Sequence, residues 1–214
     1  MIGTEPATPA TPGTRQVLSA YVDRKVTRLQ QQYLADVSSA AASLARLRRA
    51  VNRGPGEDPT VWAETFDGFP AELLGRGDRP SRHERAAHAA ITLFAVHQQS
   101  KDRAMHRQGF GIGAAARKLG TESNSEEAVL RRFQTLGTST SFEETVYHAR
   151  ALITQFRSHG LGIDYGRLAA DLADIQNEHR ADRVRLAWGR DYYRVTDRAA
   201  DPARDTDTRT TSDN

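Results

Sequence analysis

Seven histidines, two carboxylate pairs and one glycine-bearing loop are the residues of this 214-residue chain whose types could support chemistry. Their spacing argues against it. His83 and His88 are five residues apart and His88 and His97 nine, so neither pair shares a helix face, and no HExxH occurs. His97 and His106 flank a loop and could converge, but no carboxylate pair accompanies them. His88 and His97 are read as hydrogen-bonded in or beside a core. Glu126-Glu127 and Glu143-Glu144 fall in first helical turns, where negative charge complements the helix dipole. Gly109-x-Gly111-x-Gly113 lacks the Lys-Ser/Thr of a phosphate loop and follows no strand; at most its amides could receive one phosphate. No serine elbow is present, and a chain without cysteine has no Cys–His pair. The reading is of no catalytic residue, no metal site, no cofactor and no small-molecule substrate.

The cations point elsewhere. Of 30 cationic side chains, 27 are arginine, whose planar fork suits phosphate. Residues 15–195 hold 27 Lys and Arg against 21 Asp and Glu, a balance of +6 that the whole-chain value of +3 conceals. Such a surface fits a polyanionic partner. The wider set of candidates includes Arg46, Arg150, Arg157, Arg183 and Arg185. The ten favoured for nucleic-acid binding are Arg48, Arg49, Arg53, Lys101, Arg103, Arg107, Arg117, Lys118, Arg131 and Arg132. No helix-turn-helix spacing, zinc finger or aromatic-rich sheet accompanies them, so they would follow a backbone by charge without reading bases.

Helices must carry these side chains. Ser81 with Glu84 forms a capping box that predicts a helix from Arg82. From Ala86 to Ser100 no residue carries a formal charge with His neutral, and apolar residues cover most of the circumference, which marks a buried central helix. Its polar exit, His97-Gln98-Gln99-Ser100, leads into a basic loop with Lys101, Arg103 and Arg107. Leu18, Val22, Val26 and Leu29 predict a first helix over 15–32. Asp36 is expected to cap a second one running to about Asn52, with Leu44, Leu47 and Val51 inward and Arg49 and Arg53 roughly opposite. Asp58-Pro59 begins a short helix, and Pro70 to Leu74 forms a single turn. Ser123, Ser141 and Asp164 are expected to cap three further helices, with Arg132 on the apolar arc of the first. A last helix over 180–193 carries Val184, Leu186, Trp188 and Tyr192.

No alternating strand pattern appears, so the expected fold is all-α: a compact bundle of about seven to nine helices, in one unit or two subdomains. The expected organisation is a disordered arm at 1–14 and an N-terminal helical subdomain at 15–120 around the central helix 82–99. A C-terminal bundle at 121–195 and a disordered tail at 196–214 complete it. Cysteine is absent, and neither a signal peptide nor a transmembrane run is present, which suggests a cytoplasmic protein away from membranes.

With these residues laid out, a resemblance is visible. It rests on Leu44-Ala-Arg-Leu-Arg-Arg-Ala50, on Leu93-Phe-Ala-Val-His97-Gln-Gln-Ser100, and on Met105-His106 followed by Gly109 and Ile112-Gly113. Ala116-Arg117-Lys118-Leu119, Arg131-Arg132-Phe133 and the end from Asp164-Tyr165 to Arg185-Leu-Ala-Trp188-Gly-Arg-Asp-Tyr192 complete it. Together they resemble the small subunit (CasB family) of the type I-E CRISPR surveillance complex, Cascade, over 18–193. The resemblance implies an all-helical, non-enzymatic subunit, present as a pair and touching the backbone and large subunits. Its partners would be the CRISPR RNA, the target DNA and the displaced single strand, with the R-loop held by cations at Arg48, Arg49, Lys101, Arg117, Lys118, Arg131 and Arg132. The alternative is a stand-alone helical nucleic-acid-binding or regulatory protein.

Overall fold

The computed structural model describes residues 13–194. Nine α-helices occur among the described residues: α1 (Thr14–Leu34), α2 (Ser38–Ala50), α3 (Trp62–Thr65), α4 (Arg82–Gln98), α5 (Ile112–Glu122), α6 (Glu126–Gly137), α7 (Phe142–His159), α8 (Tyr165–Ile175) and α9 (Glu178–Tyr193). No strand accompanies them there, and the one β-bridge joins His106 to Ile163. The all-α expectation is met. The arm and tail expected at the ends lie outside the described residues, except that Gly13 caps α1 and Thr14 begins it. No helix among the described residues is long and apolar enough to cross a membrane.

The capping box starts α4 as its residues dictate: the Glu84 amide donates to Ser81 Oγ at 3.1 Å, and the Ser81 amide donates to Glu84 Oε2 at 2.7 Å. Every residue from Ala86 to Gln98 is buried. α1, α2, α7 and α8 surround this helix, while α5 packs on α6 and α9. Phe94 is fully buried and meets Tyr165 of α8 edge-on, ring centroids 5.4 Å apart. At Gly113 the backbones of α5 and α9 touch. A Cβ there would collide with the Trp188 carbonyl and lie 3.0 Å from both the Tyr192 amide and Asp191 Cβ.

Several local expectations are corrected. Asp36 does not cap α2: it takes a left-handed φ of 54° and closes α1, its amide donating to the Tyr33 carbonyl, while Val37 stands at the N-cap. Ser123 likewise ends α5, its hydroxyl donating to the Leu119 carbonyl at 2.7 Å, and Ser125 precedes α6. In both cases a short polar residue served the preceding helix rather than the next. Of the large apolar residues carried by the last helix, Val184, Trp188 and Tyr192 are buried, whereas Leu186 is 53% exposed. Only half of the polar exit of α4 is exposed: His97 and Gln98 are fully buried, and Gln99 and Ser100 face water.

Candidate nucleic-acid interface

Two buried glutamines build the loop that leaves α4. The Gln98 side chain donates to the carbonyls of Lys101 and Arg103 and accepts the Met105 amide at 3.1 Å. Gln30 of α1 accepts the His106 amide at 2.7 Å. His106 then spans two helices: its Nε2 meets Asp23 Oδ1 at 2.8 Å, and its Nδ1 accepts the Tyr165 amide at 3.2 Å. These bonds satisfy backbone groups that a buried loop would otherwise leave unpaired. They fix the points from which Lys101, Arg103 and Arg107 project.

The ten predicted cations divide by what faces them. Arg117 lies 3.6 Å from Glu126 and over the Tyr192 ring, Lys118 reaches Glu122 at 3.5 Å, and Arg131 pairs with Glu127. These are solvent-facing pairs, worth about 0–1 kcal/mol each, and their charge is already answered. Arg53 pairs with Asp58 at 3.2 Å, and Arg107 lies over the Phe110 ring. Arg132 is exposed and makes no ion pair among the described residues. The apolar arc of α6 is held by Val129, Phe133 and Leu136, and the long Arg132 side chain at its edge turns out to water.

Arg48, Arg49, Lys101 and Arg103 also have no ion pair among the described residues, and here the fold gathers cations from three elements. Arg48 of α2 sits below the ordinary arginine pKa, first because it is partly buried, then because Arg49 and Arg157 repel it, while Tyr33 opposes the shift. Arg157 of α7 donates to the Val96 carbonyl and, at 2.8 Å, to Gln99 Oε1, so it stands at the C-terminal end of α4. Arg103 packs over Gly160, which has a left-handed φ of 66°; a Cβ there would stand 2.8 Å from its guanidinium carbon. Beside them Lys101 lines a cleft of about 410 Å³ with Tyr33 and Val37, and Asp36 and Asp102 share that cleft. Cations outnumber acids at this end of the molecule. The chemistry available is the binding of phosphates through charge and guanidinium forks, with no base-reading group in attendance.

Residues 43–193 match the family model of CRISPR-associated protein Cse2. The chain belongs to the Cse2 family. CasB from Thermobifida fusca is 31% identical, with a TM-score of 0.72 over 83% of this chain and 98% of its own. The resemblance to CasB read from the sequence is therefore borne out. Two solved structures share the fold at lower identity. A Cse2-family CRISPR-associated protein from Thermus thermophilus is 22% identical, with a TM-score of 0.59, covering 82% of this chain and 97% of its own. A chain of a CRISPR RNA-guided surveillance complex is 20% identical, with a TM-score of 0.62, covering 82% and 92%. No curated protein sequence matches significantly.

The Cse2 match spans all ten favoured cations, yet sequence reasoning left Arg157 in the wider set. Its signal was weak: only the position in the last turn of α7 hinted that it would reach another helix end. Of the remaining wider set, Arg46 pairs with Glu64 and Arg185 with Asp182, Arg150 donates to Asn52 Oδ1, and Arg183 is exposed. Among the described residues no group of three or more His, Asp or Glu side chains is placed to hold a metal ion.

Three histidines of this Cse2 chain, His88, His97 and His106, are buried. His97 Nδ1 meets the Tyr165 hydroxyl at 2.9 Å, while its Nε2 has no partner in bonding geometry. Burial pushes its pKa down to about 3 from the ordinary 6.5; the Leu161 backbone opposes the shift and Arg157 and Lys101 add to it. Burial lowers His88 and His83 too. Because the unfolded chain binds these protons more tightly, stability is full above pH 6.5 and falls as pH drops towards the folded value. His97 alone is expected to remove about 2–3 kcal/mol between pH of about 6.5 and about 4.5. Urea unfolding at the two pH values checks this, and His97→Gln should flatten most of the dependence.

Proposed function

We propose that this chain is the non-catalytic small subunit of a type I-E CRISPR RNA-guided Cascade complex. In this reading it binds nucleic-acid backbone and keeps the R-loop open during defence against foreign DNA. The observation that carries the reading is the set of cations without acid partners among the described residues, Arg48, Arg49, Lys101 and Arg103 with Arg157, gathered where α2, α4 and α7 meet. Cse2 membership and the shared fold of a chain from a surveillance complex support it. The proposed partners are the backbone and large subunits, a second small subunit, the CRISPR RNA, the target strand and the displaced strand, all in the cytoplasm.

The energetics suit such a role. Exchanging a DNA duplex for an RNA–DNA heteroduplex is nearly balanced, so modest protein–phosphate contacts decide whether the displaced strand returns. The guide reads the sequence, and the subunit needs only charge and shape. Clustered like charges repel one another in the free protein, and Arg49 and Arg157 add to the lowering that burial imposes on Arg48; a polyanion relieves that repulsion.

The test is an add-back. The guide-RNA complex is assembled without this subunit, and target binding and displaced-strand reactivity are followed with and without it. Tighter binding and a protected displaced strand are expected. A chain that neither joins the complex nor changes the strand overturns the proposal and leaves the free-standing nucleic-acid binder in its place.

A further inference from the structure

A second concave site lies on another face, between the end of α2, the start of α4 and the start of α7. It is a pocket of about 350 Å³, within the size range of small-molecule sites. Val51, Ala89 and Val146 give it apolar walls. Its mouth carries Tyr147, which is 70% exposed and makes no side-chain hydrogen bond among the described residues, although a tyrosine ring normally keeps its apolar faces covered. Beside it stand Phe142 and Arg85, whose guanidinium lies 4.4 Å from the Phe142 ring centre and pairs with Glu143. Arg150 at the same mouth forms no ion pair among the described residues and donates to Asn52 Oδ1 at 2.7 Å, while Glu57 also lines the pocket. His88, 3% exposed, also lines the pocket; neither ring nitrogen has a partner in bonding geometry, and the backbones of Ala50 and Arg53 oppose the lowering of its pKa by burial.

An exposed aromatic ring over an apolar hollow, with a guanidinium that no acid among the described residues neutralises, matches one ligand chemistry. We infer that this pocket takes a nucleobase with its attached phosphate, the base entering against Tyr147 and the phosphate meeting Arg150. Base–aromatic stacking tolerates any base, and a single charged fork suits one phosphate. Location supports the assignment. Arg53 lines the pocket and stands about one helical turn beyond Arg49, so the pocket adjoins the last turn of α2, which carries the unpaired Arg48 and Arg49. Two sources supply this chemistry: an unstacked base of a bound single strand, which rests on the strand-binding reading above, or a free nucleotide.

Both are tested on the full-length chain. A single-stranded oligonucleotide carrying 2-aminopurine is titrated at low salt, and adenosine monophosphate is titrated by calorimetry. The expected result is a change in aminopurine emission on binding. Tyr147→Ala should abolish it and weaken binding about tenfold, and Arg150→Gln should weaken binding without abolishing the emission change. Both side chains sit at the mouth, and matched urea midpoints establish that the variants fold. Saturable binding of adenosine monophosphate that Tyr147→Ala removes identifies the free nucleotide as ligand, and silence there with an emission change identifies the strand base. An oligonucleotide that binds with unchanged emission, together with no binding of adenosine monophosphate, overturns the pocket and spares the strand reading. Identical responses from the wild-type and Tyr147→Ala chains overturn it as well. If neither probe binds, both proposals fall.

Discussion

Phe94→Ala is expected to remove about 3–5 kcal/mol of stability, the cost of truncating a buried aromatic in a core that cannot fully collapse. The ring is fully buried in a helix buried on every side, so no neighbour is free to fill the space. The loss would extend beyond packing. Phe94 supports Tyr165, whose hydroxyl meets His97, and the Tyr165 amide donates to His106 of the basic loop. Urea unfolding should show a midpoint lowered by about 2 M, given slopes of about 1–3 kcal/mol per molar. Phe94→Leu should cost far less. A loss below about 1 kcal/mol for the alanine variant would mean that α4 is not the packed centre described.

The second large effect separates two kinds of cation. Arg49→Ala, Lys101→Ala and Arg103→Ala together remove cations that form no ion pair among the described residues. Arg117→Ala, Lys118→Ala and Arg131→Ala together remove charges already paired with Glu126, Glu122 and Glu127. The first set should weaken single-strand binding about ten- to a hundredfold and reduce the salt slope by about 2, since each phosphate contact on a single strand contributes about 0.7. The second set should cost a fraction of that, because those cations are already neutralised by their acids and contribute little to holding phosphate. Affinities measured across a salt series decide between them. Equal losses would place the strand across both faces.

The same division shows what was legible in the chain. Helical periodicity, the Ser81–Glu84 box and the uncharged run after it gave the central helix and the all-α class, because those signals are local and obey short-range rules. Ser123 and Asp36 misled because a polar residue between two helices can serve either end, and only the backbone conformation decides which. The candidate site was legible as composition but not as arrangement. Nothing in the spacing of Arg117 and Glu126 announces that they meet across a turn, nor that Arg157 reaches the end of α4. Gln30 and Gln98 were invisible as organisers of the loop, since a buried glutamine looks like any other until its partners are known.

The contact at Gly113 sets a limit on how such a chain can diverge. With the α5 backbone against the Trp188 carbonyl, no side chain can be accommodated without displacing α9, and with it the Tyr192 ring beneath Arg117. Position 113 is thus closed to drift, whereas the exposed cations and acids around it can be exchanged, moved or reversed at little structural cost. A lineage built on this scaffold can redraw its charge map from one member to the next while the joint between α5 and α9 stays frozen.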